Sequence, residues 1–189
     1  SNIEFGMGVR VISGDQTGYA YVENITLDEM LKAARTAARI ASGTKKTGPV
    51  AMTEKPIKTN FYHVSTPWEN LVLRDKMPYL QRLNDRIFDA DKRVQKVTAS
   101  LTDDTSHILF CNSEGVIFYD YRPMATLSAV CIMEENGKIE NNYASRAYRK
   151  GADFLTNELV DIVAHEAVEN TAKLFKAVKP KGGEMPVVM

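Results

Sequence analysis

The chain has 189 residues, of which 44% are hydrophobic and 25% charged, and its 24 basic residues balance its 24 acidic ones. This length and composition predict one or two small folded domains and exclude a disordered chain. The neutral balance argues against a nucleic-acid-binding protein, which usually carries a basic excess. No apolar run is long enough to span a membrane, the N-terminus lacks the pattern of a signal peptide, and two cysteines suit a reducing cytoplasm.

Residues 1–43 predict a β-hairpin followed by a helix. Residues 8–13 and 17–22 alternate in polarity and are rich in β-branched and aromatic side chains, with a short turn between them. Thr26 and Glu29 form the pattern that begins a helix, because each side chain can satisfy a free backbone N–H of the other. Alanines then recur on one face of the helix, which indicates close packing against a sheet.

Residues 44–72 predict a mostly irregular connection, because three prolines interrupt them, with at most a short strand at 60–64. The period of apolar residues over 75–90 predicts a second helix. Pro78 fits the first turn of that helix, where no backbone N–H is needed for an intrahelical bond. The apolar stripe of this helix consists of Met77, Leu80, Leu83 and Ile87.

The apolar period changes to two over residues 94–149, which predicts a run of antiparallel strands. Five strands are expected, at 94–101, 107–112, 116–122, 126–134 and 138–149. Their short links allow only antiparallel neighbours, and Asn136-Gly137 is typical of a two-residue hairpin turn. A last helix is expected at 157–178. The predicted fold class is therefore α+β, with a mostly antiparallel sheet (a hairpin plus a five-strand meander) packed with about three helices.

Four segments follow from these elements. They are a hairpin with its helix (1–43), an irregular connection (44–72), a helix–meander–helix region (73–181), and a short lead-in (182–189). The first residue is not methionine and the last residues are apolar like the start of a strand. We therefore expect the chain to continue in a longer parent protein.

The segment His165-Glu166 resembles the start of the His-Glu-x-x-His zinc motif, in which two histidines one helical turn apart chelate one metal ion. The position that needs the second histidine is Glu169. His165 also shares a stripe with Asp161, Glu169 and Lys173, opposite the apolar face of the helix. This pattern predicts a solvated face with ordinary charge pairs between residues four apart.

No other residue set predicts a site. His63 and His107 have no Cys, Asp or His at the spacing of metal ligands, and both are expected at the surface or at strand ends. Cys111 and Cys131 are expected to be buried free thiols. Charge clusters are expected to be solvated, namely Asp103-Asp104, Glu134-Glu135 and the basic helix end of Lys173, Lys176, Lys179 and Lys181. The residues themselves therefore assign no catalytic, cofactor-binding or metal-binding position.

The whole chain resembles the TldD/PmbA family of zinc-dependent proteases, which are also described as modulators of DNA gyrase. The stretches that carry this resemblance are 8–14, 17–21, 31–37, Asn112-Ser113-Glu114-Gly115 with Arg122-Pro123, and 183–188. They occur in the order and spacing of the family and span nearly all 189 residues. The resemblance implies the N-terminal part of such a protein.

In the family, a His-Glu-x-x-x-His helix and a more distant cysteine hold the zinc, after the segment that residues 183–188 resemble. This sequence ends before that helix, and position 170 is Asn where a histidine would be needed to pair with His165. The resemblance therefore implies no catalytic residue and no cofactor in this chain, with zinc in the full-length parent. It also implies a subunit of the same family as partner, in a homo- or heterodimer, a peptide substrate and a cytoplasmic location, without direct nucleic-acid or membrane binding.

Three functions stay open at this point. The chain resembles the N-terminal, non-catalytic part of a TldD-like protease that acts on unfolded or flexible peptides and helps to form a substrate chamber or dimer. An exposed sheet edge would then pair with an extended peptide. The alternatives are a binding or assembly module of the zinc-free PmbA-like partner and a regulator of DNA gyrase. Residues 18–21 and 183–188 look more like the zinc-bearing branch.

Overall fold

The computed structural model of the chain describes residues 2–41, 50–55, 64–178, 182–184 and 186. The chain divides into two compact units, residues 1–50 and residues 51–189. Among the described residues, three α-helices accompany a two-stranded and a four-stranded sheet whose pairings are antiparallel with one exception. This architecture confirms the α+β class. No helix in the described ranges is long and apolar enough to cross a membrane.

The first unit is the predicted hairpin and helix. Strands β1 (Met7–Ser13) and β2 (Gln16–Val22) pair antiparallel in continuous register. Helix α1 (Leu27–Ile40) begins at Thr26, whose hydroxyl accepts a hydrogen bond of 3.4 Å from the Glu29 N–H, as the sequence predicts. The hairpin turn places Gly14 at φ +59°, a left-handed conformation that glycine adopts without steric cost.

Gly18 sets the distance between the hairpin and α1. A Cβ atom added at Gly18 would lie 1.9 Å from the Ala37 carbonyl oxygen, so the strand and the helix backbone are in direct contact there. On the helix side, Ala33 and Ala37 are buried. Small residues on both elements therefore allow a close helix-on-sheet packing, as the alanine-rich face indicates.

The second unit contains the four-stranded sheet. Its strands are β3 (Thr53–Glu54), β4 (Val94–Cys111), β5 (Val116–Glu135) and β6 (Lys138–Tyr148). The central strand is β5, which pairs antiparallel with β4 along nearly its whole length and with β6 on its other side. The short β3 pairs in parallel with the start of β5 and lies inside the segment 44–72, which the sequence predicts to be mostly irregular.

The prediction of five strands in 94–149 is wrong, because three long strands replace them. Residues 102–105 and 123–124, which the sequence predicts as links, instead continue β4 and β5 and belong to one continuous register. Pro123 is tolerated there because β6 begins to pair with β5 only at Ala125, so its missing N–H interrupts no pairing with β6. The antiparallel order itself is as predicted.

Both hairpin turns of this sheet follow from their sequences. Asn136 and Gly137 adopt φ values of 54° and 79°, as expected of a type I′ turn, and join β5 to β6. In the turn between β4 and β5, the Asn112 side-chain oxygen accepts hydrogen bonds of 3.1 Å from the N–H groups of Glu114 and Val116. These two turns fix the register of all three long strands.

Helices α2 (Leu73–Ala90) and α3 (Asn157–Leu174) pack on one face of the sheet. The core between them includes Leu83, Ile87, Leu127, Cys131, Met133, Val160 and Val163, all fully buried. Leu83 and Ile87 of α2 therefore face the core, as the predicted apolar stripe of this helix requires. Met77 is the exception and is 47% exposed.

Two helix boundaries differ from those predicted. The Asp75 carboxylate accepts a hydrogen bond of 3.1 Å from the Val72 N–H, which starts α2 two residues earlier than expected. Pro78 consequently lies inside the helix, beyond the first turn, and its expected place in that turn is wrong. Helix α3 ends at Leu174 and does not reach residue 178. Residues 60–63 of the predicted short strand lie outside the described residues, and Val64 is not in a strand.

Candidate functional site

His165 lies on the exposed face of α3, as the sequence predicts. Its side chain is 78% exposed, and its Nε2 lies 3.9 Å from Glu169 Oε2. The other oxygen of Glu169 lies 2.9 Å from Lys173 Nζ. The hydrogen bond from Lys173 is the main reason why the pKa of the Glu169 carboxyl is below its ordinary value. The stripe is therefore a solvated row of charge pairs.

Asp161 belongs to a different cluster from the one its spacing suggests. Its carboxylate oxygens lie 2.8 Å from Arg82 Nη2 and 3.0 Å from Arg86 Nε, both on α2. The hydrogen bond from Arg82 is the main cause of the lowered pKa of Asp161. Sequence spacing could not reveal this cluster, because nothing local indicates that α2 and α3 lie side by side.

The residues around His165 do not fit a zinc ion. A structural zinc site needs four ligands, and a catalytic one needs three with an open position. The carboxylate that His165 contacts, Glu169, already holds Lys173. Within the described ranges, no group of three or more His, Cys, Asp or Glu side chains is placed to hold a metal ion.

The two cysteines have different environments. Cys131 is fully buried in the core, where burial is the main cause of a raised thiol pKa. Cys111 is exposed, so the expectation that both are buried is wrong for it. It lies at the end of β4, in the part of the strand that α2 and α3 do not cover. His107 is four residues away along the strand, or about 13 Å, too far for a thiol–imidazole pair.

The charged pairs of the sheet are not simply turn charges. Asp103 and Asp104 lie inside β4, and Lys76 of α2 forms an ion pair with Asp103. Glu135 lies 2.8 Å from Arg93 Nη1. At the basic end of α3, Lys173 is 65% exposed, whereas residues 179 and 181 lie outside the described part of the chain.

A cluster that the sequence did not reveal joins the sheet to a short 3-10 turn at Trp68–Asn70. The His107 Nδ1 forms a hydrogen bond with the Tyr119 hydroxyl, and His107 Nε2 lies 3.8 Å from Glu69 Oε1. The Tyr121 hydroxyl donates a hydrogen bond of 3.2 Å to Glu69 Oε2. Burial, together with the Glu69 carboxylate, raises the pKa of the Tyr121 phenol.

The cluster needs both the β4–β5 register and the placement of the turn. His107 pairs with Tyr121 in the register of the sheet, and Tyr119 is two residues away on the same face. The turn is held by Trp68, which is 2% exposed and donates a hydrogen bond of 2.8 Å to the Lys150 carbonyl. Chemically, the cluster offers hydrogen-bonding groups at an exposed surface, with Tyr119 55% exposed.

The long edge of β4 lies beside this cluster. In the described part of the chain, β4 pairs with β5 alone, so 18 residues present one edge without a strand partner. Such an edge directs backbone N–H and C=O groups outward at alternate residues and is able to accept an extended chain. Leu109, at 70% exposure, adds an apolar contact near its end.

Comparisons with known proteins place these features in a family. The profile described as PmbA/TldA metallopeptidase central domain matches residues 66–175, and the one described as PmbA/TldA metallopeptidase domain 1 matches residues 1–41. Two relatives, both called metalloprotease TldD homolog, come from Haemophilus influenzae and from Buchnera aphidicola of Acyrthosiphon pisum. They are 32% and 29% identical over 100% and 97% of this chain. The chain spans 40% and 39% of their lengths.

Solved structures show the same fold at low sequence identity. A protein from Thermotoga maritima, described as a modulator of a DNA gyrase, matches with a TM-score of 0.67 and 16% identity over 95% of this chain and 40% of its own. TldE from Thermococcus kodakarensis matches with a TM-score of 0.56 and 17% identity over 86% of this chain and 36% of its own. The match of the central-domain profile to more than half of the residues decides the assignment: the chain belongs to the PmbA/TldD metallopeptidase family.

Proposed function

We propose that this chain is the N-terminal, non-catalytic part of a TldD-like zinc-dependent protease that acts on unfolded or flexible peptides. The observation that carries the proposal is the succession of domain 1 and central-domain matches in a chain that spans 40% of the length of a TldD relative. The catalytic helix and the zinc would then belong to the part of the parent protein that follows. No step of peptide hydrolysis is assigned to a residue of this chain.

The role proposed for the second unit is to hold the peptide as an extended strand along the edge of β4. Main-chain hydrogen bonds do not depend on the side chains of the peptide, so this mode tolerates many sequences. It also selects unfolded segments, because a folded substrate has already used its backbone groups. The exposed Leu109 and Tyr119 beside the edge supply contacts that favour apolar peptide side chains.

We further propose that the chain works in the cytoplasm and pairs with a subunit of its own family, in a homo- or heterodimer that encloses a substrate chamber. The curated relatives carry the name metalloprotease TldD homolog, which favours the zinc-bearing branch over the zinc-free one. The equal numbers of basic and acidic residues give no support to direct DNA binding.

Peptide binding tests this role. A fluorescent, flexible peptide of about ten residues is titrated with the 189-residue chain, alongside the same peptide N-methylated at every second residue. Methylation removes backbone donors without changing the side chains, so binding through the β4 edge predicts at least a tenfold loss of affinity. Equal affinity for both peptides, or no binding of either, contradicts the proposed role.

A further inference from the structure

The face of the sheet opposite α2 and α3 is poor in charge. We call it the outer face; it consists of the outward-pointing residues of 96–102, 126–134 and 139–147, whose in-strand neighbours point into the core. Lys96 and Glu134 are the charged residues on it, whereas charged residues make up 25% of the chain. The solvent face of an antiparallel sheet is normally polar, and depletion of charge is typical of the centre of a protein–protein interface.

Large apolar and aromatic side chains on the outer face are exposed. Val130 is 38%, Tyr143 64% and Ile139 67% exposed. Val130 and Tyr143 are direct partners in the register of β5 and β6, so they form one patch. Aromatic residues are enriched at interfaces because they bury a large area at low entropic cost.

The charges around this face are arranged symmetrically about a row of serines. Ser100, Ser128 and Ser145 are register partners across β4, β5 and β6. On β4, Lys96 and Asp104 lie four residues to either side of Ser100. On β5, Glu134 and Arg122 lie six residues to either side of Ser128. Strands β4 and β5 therefore each place opposite charges at equal distances from the row.

We propose that the outer face binds a second copy of this chain, through a two-fold axis that runs along the serine row between two facing sheets. This operation places each strand antiparallel to its own copy. Lys96 then faces Asp104 of the second copy. Glu134 faces Arg122 of the second copy, whose guanidinium also pairs with Asp120 of its own chain. The small serines on the axis allow the sheets to approach to the usual ~10 Å.

Shape and area agree with this arrangement. On β6, Tyr143 and Ala147 lie two residues to either side of Ser145, so the axis sets the large side chain against the small one. On β6, the stretch that lies symmetrically about Ser145 is residues 142–148. With ~3.4 Å per residue and ~4.8 Å between strands, 13 rows of β4 and β5 and seven rows of β6 cover about 540 Å² per copy. Two such faces bury about 1,100 Å², above the roughly 1,000 Å² expected of a biological interface.

This inference rests on the subunit pairing proposed above and assigns its surface. The experiment measures the mass of the 189-residue chain by sedimentation velocity between about 1 and 200 µM. A concentration-dependent doubling of the mass is expected for the unchanged chain. Ser128→Lys, which sets two positive charges together on the axis, is expected to give a monomer, while Ser113→Lys in the exposed turn at 112–115 leaves the dimer unchanged.

A charge exchange makes the test independent of any folding defect. Lys96→Glu sets like charges against each other and is expected to weaken the dimer at least tenfold. Adding Asp104→Lys to the same chain exchanges both partners and is expected to restore it. A chain that stays monomeric, or a double variant that stays as weak as Lys96→Glu, overturns the inference. A dimer that ignores all these changes leaves subunit pairing in place and overturns the outer face as its surface.

Discussion

Leu83→Ala is expected to destabilise the second unit strongly. Leu83 is 0% exposed on the core side of α2, between that helix and the sheet. The substitution removes three carbon atoms, which corresponds to about 2.4 kcal/mol at about 0.8 kcal/mol per buried methylene. The cavity left in a close-packed core raises the total to about 3–4 kcal/mol.

The matched control is Leu73→Ala, the same change on the same helix. Because Leu73 is 71% exposed, the free energy of unfolding of Leu73→Ala is expected to stay within about 0.5 kcal/mol of that of the unchanged chain. Urea unfolding is followed by the fluorescence of Trp68, the single tryptophan, which lies in the same core as Leu83. Similar midpoints for Leu83→Ala and Leu73→Ala would refute the assignment of the buried face of α2.

Further expectations concern a cap, an ion pair and the two thiols. The Thr156 hydroxyl accepts a hydrogen bond of 3.1 Å from the Leu159 N–H at the start of α3. Thr156→Ala is therefore expected to lower the free energy of unfolding in urea by about 1 kcal/mol, whereas Thr156→Ser keeps the cap. Equal losses of stability in the two variants would contradict this. Because the pKa of Asp161 is lowered in the folded chain, its contribution is present above the ordinary Asp pKa and is lost as the pH falls through the lowered one. The stability difference between Asp161→Asn and the unchanged chain is therefore expected at neutral pH and to vanish in acid; a constant difference would argue against the ion pair. The exposed Cys111 is expected to react rapidly with a thiol reagent, and the buried Cys131 only on unfolding. Two fast-reacting thiols in the native chain would contradict the burial of Cys131.

Local signals account for what the sequence predicts correctly. The helix start at Thr26 and the turn at Asn136-Gly137 depend on residues within a few positions of each other. The face of α3 that carries His165 also follows from helical spacing alone. In each case the interactions that favour the local structure lie within the segment itself, so they do not depend on tertiary contacts.

Long-range contacts account for the differences. Asp103-Asp104 has the composition of a turn, but the strand continues because β5 pairs with it throughout and Lys76 of α2 pairs with Asp103. The cluster of His107, Tyr119 and Glu69 needs the strand register and the 3-10 turn together. Neither is contained in the spacing of residues along one element.

We propose above that this chain is the non-catalytic part of a zinc-dependent peptidase. Cleavage of an unfolded protein is measured for the full-length parent and for the 189-residue chain, each with and without a chelator of zinc. We expect chelator-sensitive cleavage by the parent and none by the chain alone. Cleavage by the chain that resists the chelator and is abolished by Cys111→Ala would contradict it, because a residue of this chain would then be the nucleophile.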